Sequence, residues 1–274
     1  MLEMHINKAT EKMDNSKYLK KIIIDKFSHG ELIEKEDVVI DESRINIYLN
    51  GEKTISMMCI PKNQEAHAVG FLMSENVISK IEDIKNIDIK NEGLEVHIQA
   101  NVDEKMLQNL YKEKTLTSGC GGGVTGNIAG NVEVPFNQVS MQIKPETILS
   151  EIKQFYEDSE LYLLTGCVHK AMLYLEDGTT VTAEDIGRHN AIDKVVGLCK
   201  LKGLDTKKSV LFVSGRLSSE MVVKAVMHKV PIIVSRTAPT HLGVTTAHTH
   251  GLTLIGFARG KKMNIYTHAG RIVG

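Results

Sequence analysis

The chain lacks any long hydrophobic run. Residues Met1 to Ser16 are polar and mixed in charge, and the apolar stretch Ile22-Ile23-Ile24 is far too short for a signal peptide or a membrane span. A cytoplasmic location without a membrane anchor is therefore expected. It also lacks an excess of either charge: 33 Lys and Arg stand against 34 Asp and Glu, a formal net charge of -1. That balance provides no global field for nucleic acid or an anionic membrane, so a site for an anion has to be built locally. Cysteine is scarce. Cys59, Cys120, Cys167 and Cys199 are widely spaced and form no CxxC pair, which argues against a disulfide framework and a four-ligand zinc site. They are expected to be reduced thiols, with no bound metal. No internal repeat or low-complexity tract is visible. What remains is an ordinary globular composition, 42% hydrophobic over 274 residues, enough for one large domain or two modest ones.

From Glu31 to Ser56 the pattern is one of short strands, with Asp37 to Ile40, Arg44 to Leu49 and Thr54 to Met58, and a hairpin turn at Asn50-Gly51. After Pro61, residues Glu65 to Asn76 read as a helix despite Gly70, and strands follow at Ile84 to Ile89 and Leu94 to Gln99. Between Thr115 and Lys144 glycine becomes dense and apolar periodicity fades, the signature of a mobile loop. From Pro145, suited to the first position of a helix, strands and helices alternate to the end of the chain. Runs such as Val210 to Val213 and Ile232 to Val234 are apolar on both faces, as in a sheet covered by helices on each side. The expected class is α/β: a smaller α+β domain over residues 1–115, a glycine-rich cysteine loop over 116–144, and an α/β sandwich domain over 145–274.

Two constellations could carry chemistry. In Thr117-Ser118-Gly119-Cys120-Gly121-Gly122-Gly123, a single thiol sits among glycines that remove side-chain bulk and bare successive backbone N–H groups. Such surroundings favour an accessible thiolate, the nucleophilic form, although an isolated cysteine is more often a small buried hydrophobe. The second is a set of three strand-to-helix junctions: Glu184 to Asn190, Ser214 to Glu220, and Ser235 to Thr240. In open α/β sheets ligands bind beyond the carboxyl ends of strands, where helix N-termini face anions. Each junction supplies one arginine, so Arg188, Arg216 and Arg236, with His189, Asn190, Ser214, Ser218 and Thr237, read as a site for a ligand with several phosphates. The plainer alternative makes Asn190 and Ser218 helix caps and leaves the arginines on the surface. One junction fits that account well; three with the same layout fit it poorly.

Further candidates are weaker. Cys167 and His169 stand two residues apart at the start of a strand; Cys167 is an alternative nucleophile, but its apolar flanks favour a thiol packed in the core, with His169 lining a pocket. His241, His248, His250 and His268 lack acidic or thiol partners at metal-ligand spacing. Phe257-Ala258-Arg259-Gly260-Lys261-Lys262 runs from a strand into a basic turn that could hold a base or a phosphate, or could be only a polar hairpin.

Taken together, these stretches resemble the formate dehydrogenase accessory sulfurtransferase family, FdhD. Thr117 to Gly121 resembles its persulfide-bearing loop, Glu184 to Lys194 its GRHNA-D-K segment and Ser214 to Lys224 its SGR-SSEM segment, and Ser235 to Ala247 and Gly251 to Gly260 match further blocks. The resemblance implies a catalytic Cys120 that takes sulfur from a cysteine desulfurase as a persulfide. The sulfur then passes to the molybdenum or tungsten bis(molybdopterin guanine dinucleotide) cofactor, for insertion into the formate dehydrogenase apoenzyme. It also implies a cofactor-binding segment at Phe257 to Lys262 and a cytidine deaminase-like sandwich. Here that sandwich has His169-Lys170-Ala171 where a zinc deaminase shows H-x-E, so deamination is not expected. A homodimer is expected because a pseudo-symmetric cofactor could bridge two subunits. One departure stands out: many members carry a second loop cysteine three positions after the first, and here that position is Gly123. Two rival functions are a chaperone that delivers the cofactor without handling sulfur and a phosphate-cleaving nucleotide enzyme. No acidic metal cluster in the sequence accompanies the arginines to support the latter.

Overall fold

The structure, a computed structural model, describes residues 15–102, residue 107 and residues 141–274. The glycine-rich segment with Cys120, and most of the 116–144 division, lie outside the described residues.

The chain opens with a ribbon. β1 (Leu19–Ser28) pairs antiparallel with β2 (Glu31–Ile40) in ten registered pairs. The sequence reading included the end of β2 but missed β1, whose apolar and charged residues do not alternate cleanly. The turn joining them, His29-Gly30, has φ of 52° and 92°. Positive φ at both central residues is the hairpin turn whose twist matches that of the strands. Asn50-Gly51, at 52° and 90°, makes the same turn between β3 (Ser43–Leu49) and β4 (Glu52–Cys59), as expected. With β5 (Ile84–Lys90) and β6 (Glu95–Ala100) these strands form a sheet of order β4-β3-β6-β5, in which β3 and β6 are parallel. Ile45, Ile47, Leu49, Val96 and Ile98 on its inner face share a core with Val69 and Leu72 of α1 (Gln64–Ser74).

The second half is a mixed six-stranded sheet. Its order is β12 (Lys262–Thr267), β11 (Thr253–Arg259), β10 (Ile232–Ser235), β9 (Ser209–Val213), β7 (His169–Leu175) and β8 (Thr180–Asp185). The helices are α2 (Pro145–Glu157), α3 (Glu160–Thr165), α4 (Arg188–Leu201), α5 (Ser219–Met227) and α6 (His241–Thr249). Pro145 begins α2, where its missing N–H costs nothing. Ile192, Val195, Met221, Ala225 and Ala247 of α4, α5 and α6 pack on one face of the sheet. Ile148, Ile152 and Phe155 of α2 pack on the other, against Val210, Phe212, Ile232 and Val234. Every residue of β9 and β10 is buried, as the two-sided apolar pattern predicted.

The two sheets meet where α1 crosses α4. A Cβ on Gly70 would collide with the Asp193 carbonyl, and one on Gly197 with the Ala66 carbonyl. Glycine inside α1 weakened the helix signal in the sequence; its reason is this backbone-to-backbone approach. Beside the crossing lies a buried polar chain. Ser74 donates to Asp193 Oδ1 at 2.6 Å, Lys224 reaches both Asp193 oxygens at 2.7 and 2.8 Å, and His228 Nε2 lies 2.8 Å from Ser74 Oγ. Buried charges paired this way avoid the desolvation cost of an isolated ion.

Candidate functional site

β9, β10 and β11 are parallel, and β8 runs in the same direction because it and β9 are both antiparallel to β7. The carboxyl ends of four strands therefore share one edge of the sheet. The start of β7 and the start of β12 lie at that edge too. This topology gathers all three arginine junctions, His169 and the β11–β12 turn at one end of the sheet, where ligands bind in open α/β folds.

The junctions are tied to one another. Ser214 Oγ accepts from Lys170 N at 3.1 Å and lies 3.0 Å from His169 Nδ1. Gly215 O accepts from Ser235 Oγ and Thr237 Oγ1, each at 2.8 Å, and Thr237 O accepts from Phe257 N at 3.1 Å. A Cβ on Gly215 would lie 3.2 Å from Arg188 Cδ, so glycine there lets the arginine stem lie against the backbone. Phe257 has φ 52° at a break in the β11–β12 register between Gly256 and Arg259. A bulky residue persists in the left-handed region only where its surroundings impose it, and such positions cluster at ligand clamps.

Electrostatics favour an anion. Burial, followed by Arg188 and His189, lowers the pKa of His169, so its imidazole stays neutral near pH 7. Arg216 and Arg236 are exposed, with the Arg236 guanidinium 4.7 Å over the Tyr156 ring. Arg188 is half-buried, and its Nε and the buried Ser218 Oγ find no hydrogen-bond partner among the described residues. His189 Nε2 lies 2.9 Å from Glu220 Oε2, so these two buried side chains face each other. Native proteins rarely leave buried polar groups unmatched, and Arg188 Nε and Ser218 Oγ at one strand edge suit a polar ligand.

Other predicted residues turn elsewhere. Asn190 lies inside α4 rather than capping it, and its amide donates to Asp185 Oδ1 at 2.8 Å and to Met58 O at 3.0 Å. That side chain fastens the first junction to β4. Ala258 is fully buried beneath α2, while Arg259, Gly260, Lys261 and Lys262 are exposed in the turn. Cys167 corrects the reading of a packed thiol. It is exposed, because Gly166 ends α3 with φ 66° and β7 begins only at His169, leaving Cys167 in the intervening loop. Among the described residues the packed cysteines are Cys59 and Cys199, whose thiols burial pushes up to about 12. His248 and His268 stack at 5.2 Å, and among the described residues no three His, Cys, Asp or Glu side chains group around a metal position.

Several participants carried no sequence signal. A cavity of about 320 Å³ adjoins the crevice, where Phe155, Tyr156, Ser159, Tyr162, Lys170 and Ile186 join the already singled-out Cys167, His169 and Ser214. Burial pushes the Tyr156 hydroxyl up to about 12, so it stays protonated. Asp185 is wholly buried. It accepts from Gly187 N at 3.0 Å, from Lys194 Nζ at 2.6 Å and from Ile60 N at 3.0 Å, and so sets the turn that aims Arg188. The acidic residue just before Gly187 and Arg188 was the available hint.

Residues 40–273, nearly the whole described structure, match the model of the FdhD/NarQ family. The chain belongs to this family. It is 57% identical over 257 residues to the sulfur carrier protein FdhD of Wolinella succinogenes, an alignment spanning 93% of this chain and 90% of that one. It is 34% identical over 248 residues to the protein of the same name from Bacillus subtilis, covering 90% and 95% of the two chains. The fold matches a crystal structure described as a formate dehydrogenase accessory protein, from Desulfotalea psychrophila. The TM-score is 0.77 at 29% identity, over 93% of this chain and 98% of that one. Among the described residues no helix of this FdhD/NarQ chain is long and apolar enough to cross a membrane.

Proposed function

We propose that this chain is a sulfurtransferase that carries persulfide sulfur on Cys120 from a cysteine desulfurase to the bis(molybdopterin guanine dinucleotide) form of the molybdenum or tungsten cofactor. The charged cofactor then goes to formate dehydrogenase. The observation that carries this reading is the convergence of Arg188, Arg216 and Arg236 at one sheet edge beside unmatched Arg188 Nε and Ser218 Oγ, in a chain related to sulfur carriers. The cofactor is cargo rather than a resident group. Its two diphosphates ask for several guanidinium groups, and arginine meets a phosphate with two parallel N–H donors. The cavity between Tyr156 and His169 has the size of a small-ligand site and adjoins those cations.

In this mechanism the domains divide as residues 1–115, 116–144 and 145–274, the last a cytidine deaminase-like sandwich without zinc. Arg188 and Ser218 hold phosphate oxygens and Arg216 and Arg236 close over them. Phe257 and the exposed Arg259, Gly260, Lys261 and Lys262 grip the far half of the cofactor, with Ala258 packed beneath them. The outer sulfur of the Cys120 persulfide passes to the cofactor, the acceptor supplying the electron pair of the new bond while the S–S bond breaks and the cysteine sulfur leaves with its pair as thiolate; this requires no second cysteine at position 123. The reaction belongs to the cytoplasm, where thiols stay reduced.

The test is intact-protein mass analysis after treatment with a cysteine desulfurase and cysteine. One added sulfur on the Cys120 peptide is expected. Cys120→Ala should lose it and fail to support formate dehydrogenase maturation while still binding guanosine diphosphate. Arg216→Ala should load sulfur normally but bind the nucleotide less tightly. Full maturation by Cys120→Ala would instead favour the chaperone reading, in which sulfur is never handled.

A further inference from the structure

Cys167 is the exposed cysteine among the described residues, and direct passage of sulfur from Cys120 to the cofactor makes no use of it. Cys59 and Cys199 are wholly buried among apolar side chains, where a thiol is a small hydrophobe. Cys167 is different in kind. It stands on the wall of the cavity of about 320 Å³, beside His169 and Ser214. The left-handed turn at Gly166, φ 66°, and the start of β7 at His169 fix its place on that wall.

That cavity touches all three arginine junctions. Ile186, two residues before Arg188, lies on its wall, and so does Ser214, two residues before Arg216. Tyr156, on the same wall, carries the Arg236 guanidinium 4.7 Å over its ring. Ser214 Oγ lies 3.0 Å from His169 Nδ1, which ties the strand of Cys167 to the second junction. An anion gripped by the arginines therefore adjoins a cavity with a thiol on its wall. Among the side chains that line it, the thiol is the one able to hold sulfur in a persulfide. The supply of sulfur is close as well. Met141, where the described chain resumes after Cys120, packs in the same apolar cluster as Phe155 of the cavity wall. The chain from Cys120 to Met141 spans up to about 70 Å when extended, so Cys120 is tethered within reach of the cavity.

We infer that Cys167 is a second sulfur-carrying thiol, which takes the outer sulfur of the Cys120 persulfide and hands it on to the cofactor held by the arginines. The inference rests on the sulfurtransferase reading and adds one step between its two halves. Cys167, open to solvent, gives its proton to water. Its thiolate supplies the electron pair of a new S–S bond to the outer sulfur, the S–S bond to Cys120 breaks, and Cys120 leaves with its pair as thiolate. Persulfide is lost at one cysteine and gained at the other, so the exchange needs no oxidant or reductant. In the next step the cofactor supplies the pair and Cys167 leaves as thiolate. The gain is placement, because the sulfur then sits at a fixed point of the wall beside the bound anion rather than on a long tether.

The full chain is charged with a cysteine desulfurase and cysteine, freed of both, alkylated at successive times, digested and read by mass analysis of the Cys120 and Cys167 peptides. In the natural chain sulfur should appear first on Cys120 and then on Cys167, and Cys120→Ala should carry it on neither. Cys167→Ser, with far-UV circular dichroism as a folding control, should charge Cys120 to the same extent and keep the sulfur there, while formate dehydrogenase maturation falls about tenfold or more. Sulfur that never leaves Cys120 for Cys167, or full maturation by Cys167→Ser, overturns the relay and leaves the sulfurtransferase reading standing. Sulfur on Cys167 in Cys120→Ala also overturns the relay, since the thiol would then be charged without Cys120. Sulfur on neither cysteine of the natural chain defeats the sulfurtransferase reading itself, and the relay with it.

Discussion

Gly197 tests the relation between the two sheets most directly. In a helix interior alanine is favoured over glycine by about 1 kcal/mol, so on propensity alone Gly197→Ala should stabilise the protein. The structure reverses that sign. The added Cβ would sit 2.6 Å from the Ala66 carbonyl carbon and 2.9 Å from its Cα, and backbone atoms cannot rotate away as a side chain would. The helices must separate at their closest point, where Gly70 makes the reciprocal contact with Asp193. Overpacking costs about 1–3 kcal/mol, and with both contacts on backbone the top of that range applies, so a net loss of about 2 kcal/mol is expected after the propensity gain. For a chain of this size that lowers Tm by roughly 4–8 °C. Thermal unfolding followed by circular dichroism measures it. The first turn of α4 carries Arg188 and His189, so titration with guanosine diphosphate should also show weaker binding. An unchanged or raised Tm would refute the reasoning, because it would mean that the crossing has room for a methyl group.

Two further predictions follow from the buried polar groups. Asp185→Asn leaves Lys194 charged and buried with Ile60 O at 2.7 Å in place of its ion pair, and should cost about 3–5 kcal/mol; Asp185→Asn/Lys194→Met should recover most of it in urea titrations, and equal losses for the two variants would contradict the pairing. Burial holds His67 at about 4 and His228 at about 3, so both stay neutral in the folded protein while their unfolded counterparts take up protons near 6.5. Their contribution is therefore complete above about pH 6.5 and is lost as pH falls toward 4, at a slope of up to about 1.4 kcal/mol per pH unit for each histidine. Urea midpoints measured from pH 7 to pH 5 should fall accordingly, and His67→Gln should flatten the decline; an identical slope in the variant would remove His67 from the account.

Much of the architecture was legible before any coordinates. Asn50-Gly51 specified a turn because few residues accept positive φ, and the unbroken apolar runs of β9 and β10 specified burial on both sides. The three arginine junctions were visible because strand, turn and helix signals all act within about ten residues. What the sequence could not convey were relations between residues distant along the chain. Gly70 weakened a helix signal until α4 was seen to press against it, and Asp185 looked like any loop acid until it met Lys194 and the Ile60 amide. Cys167 was expected inside because its neighbours are apolar, but the left-handed turn at Gly166 carries it outward. β1 escaped notice for the same reason, since its exposed apolar residues follow no inside-outside alternation. Local stereochemistry thus determined the elements and the order of the three arginine junctions. Only the packing of one helix on another, and the parallel alignment of β8, β9, β10 and β11, decided that those junctions meet at a single edge, because short-range propensities carry no information about which distant backbone will arrive beside them.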